Sequence, residues 1–460
     1  MKRVDGLERF FYPLSIAVVG ASNELYKSGA RFYKGLMDGG FEGRLYAVNP
    51  NEPVVFGEKS YRNVSDIQGE IDLAIIAVPA RAVPQVMADC YRSRVKFAIV
   101  HSAGFSELGT EGKELEKEML KYAGPGKTRI IGPNCMGMLS AGARINTITM
   151  GPEPENLPGS VAFVGQSGWV TENVISIGRE RGLRLGKIVS IGNQSDLTIE
   201  NLVDYFADDP QTSVIALYAE GIKDGCEFIR VVRRASKIKP VIVWKGGNTP
   251  GGSRSASSHT GSMAGNGEVI GAMLKQCGAI AVHGLDELID MTAGFASPVL
   301  VQGNRVGLLV EAGGGAVSGC DAAESLGLTI PQLSENAQDE IATILKGIIP
   351  PFAAPRNPVD IVWAPAQNAV QMFVNCSRIL LKEVDALVML NYLNYNEDFV
   401  KAVGDVRDEI GKPIMVIPGH AGERRPGMAL LTRNGIPAFA TPERVMKVLC
   451  EMLKYSEFRA

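Results

Sequence analysis

The chain has 460 residues, 45% of them hydrophobic and 21% charged; these are globular values and exclude disorder and collagen-like architecture. Lys and Arg number 47 against 50 Asp and Glu, a formal charge of -3, so there is no basic surplus to release counterions from DNA or RNA. At roughly 100–200 residues per domain, a chain of this length divides into several domains. It opens on an apolar stretch from Phe10 to Ala21 that contains Pro13 and ends in a glycine turn, which reads as a buried first strand and not as a signal peptide. Strands are then predicted at Ser15–Val19, Leu45–Val48, Leu73–Val78, Phe97–His101 and Thr128–Ile131, with a helix over Ser106–Tyr122 whose Leu115 and Met119 share a face. A Pro- and Gly-rich linker, Gly151–Gly159, closes this block.

A second block carries strands at Ser160–Val164, Lys187–Ser190, Val214–Ala219, Val241–Trp244 and Ala279–Ala281, and a polar break at Val301–Asn304 ends it. A third begins with Arg305–Val310 and continues through Ala386–Leu390, Ile414–Ile417 and a last short strand near Ala438–Phe439. Short apolar runs alternating with amphipathic stretches make an α/β chain of parallel sheets covered by helices. The openings "SVAFVGQSGWVTE" and "RVGLLVEAGGGAVSG" share one grammar, so two related doubly wound domains follow one another. No run approaches the ~18 apolar residues of a membrane span. The seven cysteines include no Cys-x-x-Cys pair, and reduced thiols in a cytoplasmic protein are expected.

The turn Gly20-Ala21-Ser22 after the first strand, followed by a helix start with N–H groups for a phosphate, suits a nucleotide-containing ligand. The spacing G-x-G-x-x-G is absent, and the second strand ends in Val48-Asn49-Pro50 without the carboxylate that grips an NAD ribose, so an NAD-dependent dehydrogenase is rejected. Val78-Pro79-Ala80, Ser102–Phe105 and Gly132-Pro133-Asn134-Cys135 end three more strands in small or polar residues, where ligands sit in such sheets. Cys135 has no histidine near it in sequence and reads as a buried structural residue.

The strongest signal is Ser255–Ser262, "SASSHTGS", after the glycine-rich stretch Gly246–Gly252. It is expected to form an exposed, adaptable loop presenting His259, and a neutral imidazole is a competent phosphoryl acceptor near neutral pH. Such a ring needs a carboxylate on its other nitrogen, and Glu220 at the end of Val214–Ala219 is the candidate. It also needs donors for phosphate, which the turn Gln166-Ser167-Gly168 supplies; Gly192-Asn193, ending the next strand, suits an acyl group. His101 ends an apolar strand in the first block and is a candidate to line its pocket, while His283 and His420 sit in glycine-flanked turns. No grouping has metal-ligand spacing, and no P-loop motif is present.

Across nearly the whole chain, "VVGAS", "YAVNP", "IIAVPA", "SAGFSE", "GPNCMG", "GQSG", "SIGNQSD", "ALYAEGIKDG", "SASSHTGSMAG", "NPVD" and "GIPAFATPE" resemble the α subunit of nucleotide-diphosphate-forming acyl-CoA synthetases, typified by the ADP-forming acetyl-CoA synthetases. The resemblance implies a Rossmann-like coenzyme A-binding domain at 1–150, a flavodoxin-like domain with the phosphohistidine loop at 151–300 and a second flavodoxin-like domain at 301–460. It implies that His259 is the phosphohistidine with Glu220 its partner, and that Gly20, Ala21, Ser22, Asn49, Pro50, Val78, Pro79 and Asn134 lie near CoA. Gln166, Ser167, Gly168, Gly192 and Asn193 match the acyl and phosphate site, with Ser258, Thr260 and Gly261 beside the histidine. A carboxylic acid, CoA and ATP then give acyl-CoA, ADP and phosphate through an acyl phosphate. ATP and Mg2+ belong on an ATP-grasp domain, expected on a separate β subunit in a hetero-oligomer such as α2β2. A succinyl-CoA synthetase-like α subunit is an alternative that stops near the start of the third block, and a non-catalytic CoA-binding regulator is another. Trp169, where a small residue is more usual, and the "GNQSD" variation separate this chain from the acetate-using pattern.

Overall fold

Short buried strands rich in Val, Ile and Ala, each followed by a helix with one apolar face, force parallel sheets covered on both sides. The computed structural model contains three sheets. It describes residues 4–149, 159–260, 267–347, 355–362, 367–393, 397–419 and 424–460, with the side chains at 257–260 and 424–426 excepted. All but the last residue of the linker Gly151–Gly159 lies outside the described residues, as do Gly261 and His420.

In the first sheet Ser15–Val19 is central, flanked in parallel by Arg44–Val48 and Leu73–Ile76; Phe97–Val100 and Arg129–Ile131 extend one side. The strand order reverses at Ser15–Val19, which opens a crevice at the carboxyl ends. The small strands Val54–Val55 and Glu58–Tyr61, not anticipated from the sequence, cap the opposite edge. The second sheet runs, in space, Ile280–Val282, Val241–Lys245, Val214–Ala219, Val161–Gly165 and Leu185–Ser190, all parallel, in flavodoxin-like order. Gly137–Ser140, read in sequence with the first block, joins this second sheet antiparallel to Leu185–Ser190, and Ile145–Asn146 pairs antiparallel with Gly137–Ser140 at the edge. The third sheet is parallel: Val359–Asp360, Val306–Val310, Ala386–Asn391 and Ile414–Pro418. The last predicted strand reduces to a single bridge from Ala438 to Val416, because the chain turns at once into the helix Pro442–Arg459.

The chain forms two compact units, one of Met1–Ser176 with Arg184–Leu285 and one of Ile177–Leu183 with Asp286–Ala460. The first two sheets make the first unit, with Phe10, Phe11, Phe163, Phe206 and Phe228 fully buried. Each such ring stabilises the fold by about 1.5–3 kcal/mol. In the second unit, Arg181 donates to Asp290 at 2.6 Å, and a Cβ on Gly182 would strike the Ala429 carbonyl oxygen at 2.2 Å.

Two expectations are corrected. The segment carrying His259 is not a loop; Pro250–Thr260 is an α-helix and His259 lies in its last turn. Thr249 caps it, its hydroxyl accepting from Gly252 N at 3.1 Å, and Pro250 takes the first turn, where a missing N–H is harmless. The serines cost only about half a kcal/mol each relative to alanine, which tertiary contact with Ser106–Leu108 overrides. The second correction concerns the first turn. Its helix does not follow directly but starts at Ser28, and the intervening N–H of Asn23 donates to Glu52 Oε2 at 2.9 Å.

Candidate functional site

Gly20 ends the first strand with φ +91, and a Cβ there would lie 2.4 Å from the Ala77 carbonyl oxygen. Only glycine lets the two strand ends approach this closely. Asn49 holds the turn by donating Nδ2 to the Ala21 carbonyl at 2.7 Å, and buried Ser22 donates to Glu52 Oε1 at 2.7 Å. Asn23 adds a side-chain donor to Glu52 Oε2 at 2.8 Å. These bonds hold the Glu52 carboxyl below the usual carboxylate range, the Ser22 hydroxyl contributing most. Glu52 therefore supplies a carboxylate that the strand end Asn49-Pro50 lacks, and it binds the protein's own turn. Val78 and Pro79 follow the neighbouring strand, and Ser102 donates its hydroxyl to the Val78 carbonyl.

At the far edge the two sheets of the first unit meet. Asn193 N donates to the Pro133 carbonyl at 3.0 Å, Ser195 N to Gly132 at 3.0 Å and Leu197 N to Ile130 at 3.1 Å. Asn134 and Gly192 both have left-handed backbone, φ +58 and +57, and a Cβ on Gly192 would sit 2.3 Å from the Pro133 oxygen. Asn134 Nδ2 reaches Asn193 Oδ1 at 3.4 Å, and Asn193 Nδ2 donates to Glu107 Oε2 at 2.6 Å. Of the residues expected near CoA, Asn134 thus shares one junction with the turn expected at the acyl site. Burial works to raise the Glu107 carboxyl, but the Gly104 N–H and the Asn193 amide outweigh it and hold the group low.

Gln166, Ser167 and Gly168 form the turn from Val161–Gly165 into the helix Gly168–Glu180. Ser167 receives Val170 N on its hydroxyl at 3.4 Å. Gln166 does something the sequence did not indicate: its Oε1 accepts the backbone N–H groups of Glu220 at 2.8 Å and Gly221 at 3.0 Å. Its carbonyl thereby fixes the segment that presents Glu220. The Glu220 carboxylate accepts from Tyr218 Oη at 3.2 Å. Lys245, pairing in register with Ala219, is buried at the end of its strand and donates to the Gly246 carbonyl. Burial pushes its ammonium down, against the attraction of Glu220. The backbone of Ser258, His259 and Thr260 is helical; their side chains and all of Gly261 lie outside the described residues.

Glu107, Glu52, Tyr218 and Lys245 escaped the sequence reading. All four stand within two residues of singled-out positions, and Glu107, which ends the motif "SAGFSE", carried no signal of its partner. Cys135 is buried and its thiol is pushed up to about 12, as suits a structural residue. His101 packs edge-on against Phe32 and bonds through Nδ1 to the Cys135 carbonyl at 2.8 Å, with burial lowering its basicity. Trp169 is 65% exposed in the first turn of its helix, so the core does not dictate its size. Among the described residues, no group of three or more His, Cys, Asp or Glu is placed to hold a metal ion, and no helix is long and apolar enough to cross a membrane.

Two family models match the chain: a CoA binding domain over residues 14–141 and a succinyl-CoA ligase like flavodoxin domain over residues 158–295. The chain thus combines a CoA binding domain with a flavodoxin domain like that of succinyl-CoA ligase. The α subunit of acetate–CoA ligase [ADP-forming] II from Pyrococcus furiosus is 37% identical over 455 residues, covering 95% of each chain. The acetate–CoA ligase [ADP-forming] of Methanocaldococcus jannaschii is 33% identical over 98% of this chain and 63% of its own. Among solved structures, the acetyl-coenzyme A synthetase 1 of Ca. Korarchaeum cryptofilum in complex with phosphate and ADP is similar with a TM-score of 0.87 and 34% identity, covering 99% of this chain and 98% of that one. The chain belongs to the family of ADP-forming acyl-CoA ligases and corresponds to their α subunit.

Proposed function

We propose that this chain works with an ATP-grasp β subunit to convert a carboxylic acid, CoA and ATP reversibly into acyl-CoA, ADP and phosphate. The observation that carries this reading is the junction of Pro133–Asn134 with Gly192–Asn193, beside the helix that bears His259 and contacts Ser106–Leu108. The Gly20 turn and the strand ends at Asn49, Pro50, Val78 and Pro79 form the cradle for CoA, its shape set by the close approach of Gly20 to Ala77 that only glycine allows. Asn134 stands where the thiol end must reach an acyl group held at Gly192–Asn193. In the acyl-forming direction the thiolate sulfur attacks the acyl phosphate carbonyl, a C–S bond forms, the C–O bond to phosphate breaks, and phosphate leaves. Upstream, the phosphoryl group reaches the carboxylate from the His259 nitrogen, with a P–O bond replacing the P–N bond. The backbone N–H groups at Ser167–Gly168 and the helix dipole stabilise the phosphoryl oxygens, and Glu220 orients the ring and balances its positive charge.

The Pyrococcus relative being a subunit alpha and the longer single chain from Methanocaldococcus support a separate nucleotide-binding partner. ATP and Mg2+ belong there, in a hetero-oligomer of α2β2 type in the cytoplasm. Acetate is the acid named for both relatives and is the first to try. The division 1–150, 151–300 and 301–460 is retained as the domain proposal.

The test is to incubate the chain with acetyl-CoA and radiolabelled inorganic phosphate and to locate the label by mass spectrometry without acid. Label on His259, absent in His259→Ala, is expected. An unlabelled wild type, or equal labelling of the variant, overturns the reading.

A further inference from the structure

We infer that Tyr218 is a positioning residue that locks the carboxylate of Glu220 for the histidine step, an inference that rests on the function proposed above. Glu220 is held from both ends. At its base, Gln166 Oε1 takes the N–H of Glu220 at 2.8 Å and that of Gly221 at 3.0 Å. At its tip, the Tyr218 hydroxyl donates to Oε1 at 3.2 Å. Tyr218 is the penultimate residue of its strand and Glu220 follows the strand end, which brings the hydroxyl within hydrogen-bond distance of the carboxylate.

The hydroxyl is itself held in place. Its ring lies edge-on to Trp244 with centroids 4.7 Å apart, and Trp244 is its register partner on the next strand. Its oxygen sits against Gly246, where a Cβ would come within 2.7 Å of Oη and 3.1 Å of Cζ. The absence of a side chain at Gly246 is therefore what leaves room for the hydroxyl. The donor on Oε1 stops the carboxylate from rotating out of line as the ring gains positive charge. The hydroxyl acts through Glu220 and transfers no proton.

Two variants test this with the full chain, acetyl-CoA and labelled phosphate. Tyr218→Phe removes only the hydroxyl; Gly246→Ala displaces it from the opposite side. Both should lower the saturating rate of His259 labelling by about tenfold, the scale of one hydrogen bond to a charged group. The half-saturating concentrations of acetyl-CoA and phosphate should stay at wild-type values, a split that a merely structural role would not produce. Labelling of Tyr218→Phe at the wild-type rate overturns the inference while leaving the proposed function standing. So does a rise in the half-saturating concentrations with no fall in the saturating rate. A wild type that is never labelled overturns both.

Discussion

Asn193 donates its side-chain amide to Glu107 at 2.6 Å, joining the turn after one sheet to a loop after the other. The two residues are 86 positions apart, and both Glu107 oxygens are used, the second by Gly104 N at 2.6 Å. Glutamine has one acceptor oxygen and must leave one of these donors unpaired. Glu107→Gln should therefore lower stability at neutral pH by roughly 1–2 kcal/mol, allowing for solvent screening. The fold depresses the Glu107 carboxyl below its ordinary 4.5, so its contribution is present above that pH and disappears as pH falls through the lower folded value. The gap in Tm between wild type and variant should accordingly narrow below pH 4.5; a gap constant with pH would contradict the assignment.

Glu220→Gln keeps the shape of the side chain and loses its charge. Labelling of His259 should slow by about 10²-fold, the scale of a lost orienting or acid–base partner, while CoA binding by calorimetry stays as in wild type. Normal labelling would remove Glu220 from the mechanism.

Gly20→Ala forces a side chain onto a backbone with φ +91 and into the Ala77 carbonyl. It should cost about 1–3 kcal/mol and weaken CoA binding at least about tenfold. Neither form should bind NAD. Wild-type CoA affinity in the variant would show that the turn is not the cradle.

Asp196, in the variant segment "GNQSD", makes a two-pronged pair with Arg129, Nε to Oδ2 at 2.9 Å and Nη2 to Oδ1 at 3.0 Å, and also receives Ile130 N at 2.8 Å. Both side chains are largely buried. Asp196→Ala strands the guanidinium and should destabilise the fold by about 3–5 kcal/mol, measured by denaturant unfolding. A loss under about 1 kcal/mol would mean that solvent already carries this pair.

Strands buried on both faces were the most legible: Ser15–Val19 and Val214–Ala219 match the sequence reading to the residue. The hairpin over 137–146 was not, because it pairs with Leu185–Ser190, some fifty positions away, and nothing local says which sheet a short strand joins. The helix around His259 was hidden by its composition. Serine and glycine read as loop when propensity alone is weighed, whereas the Thr249-Pro250 cap was a legible start signal.

The residue order alone settled the alternation of strand and helix, the glycines at strand ends and the histidine among small hydroxyl neighbours. These are properties of adjacent residues, and periodicity reports them directly. Only the folded chain decided which carboxylates face which donors: Glu52 onto its own turn, Glu107 onto Asn193, Glu220 between Gln166 and Tyr218. A hydrogen bond needs two groups within about 3 Å, and distance along the chain carries no record of that until the sheets have formed.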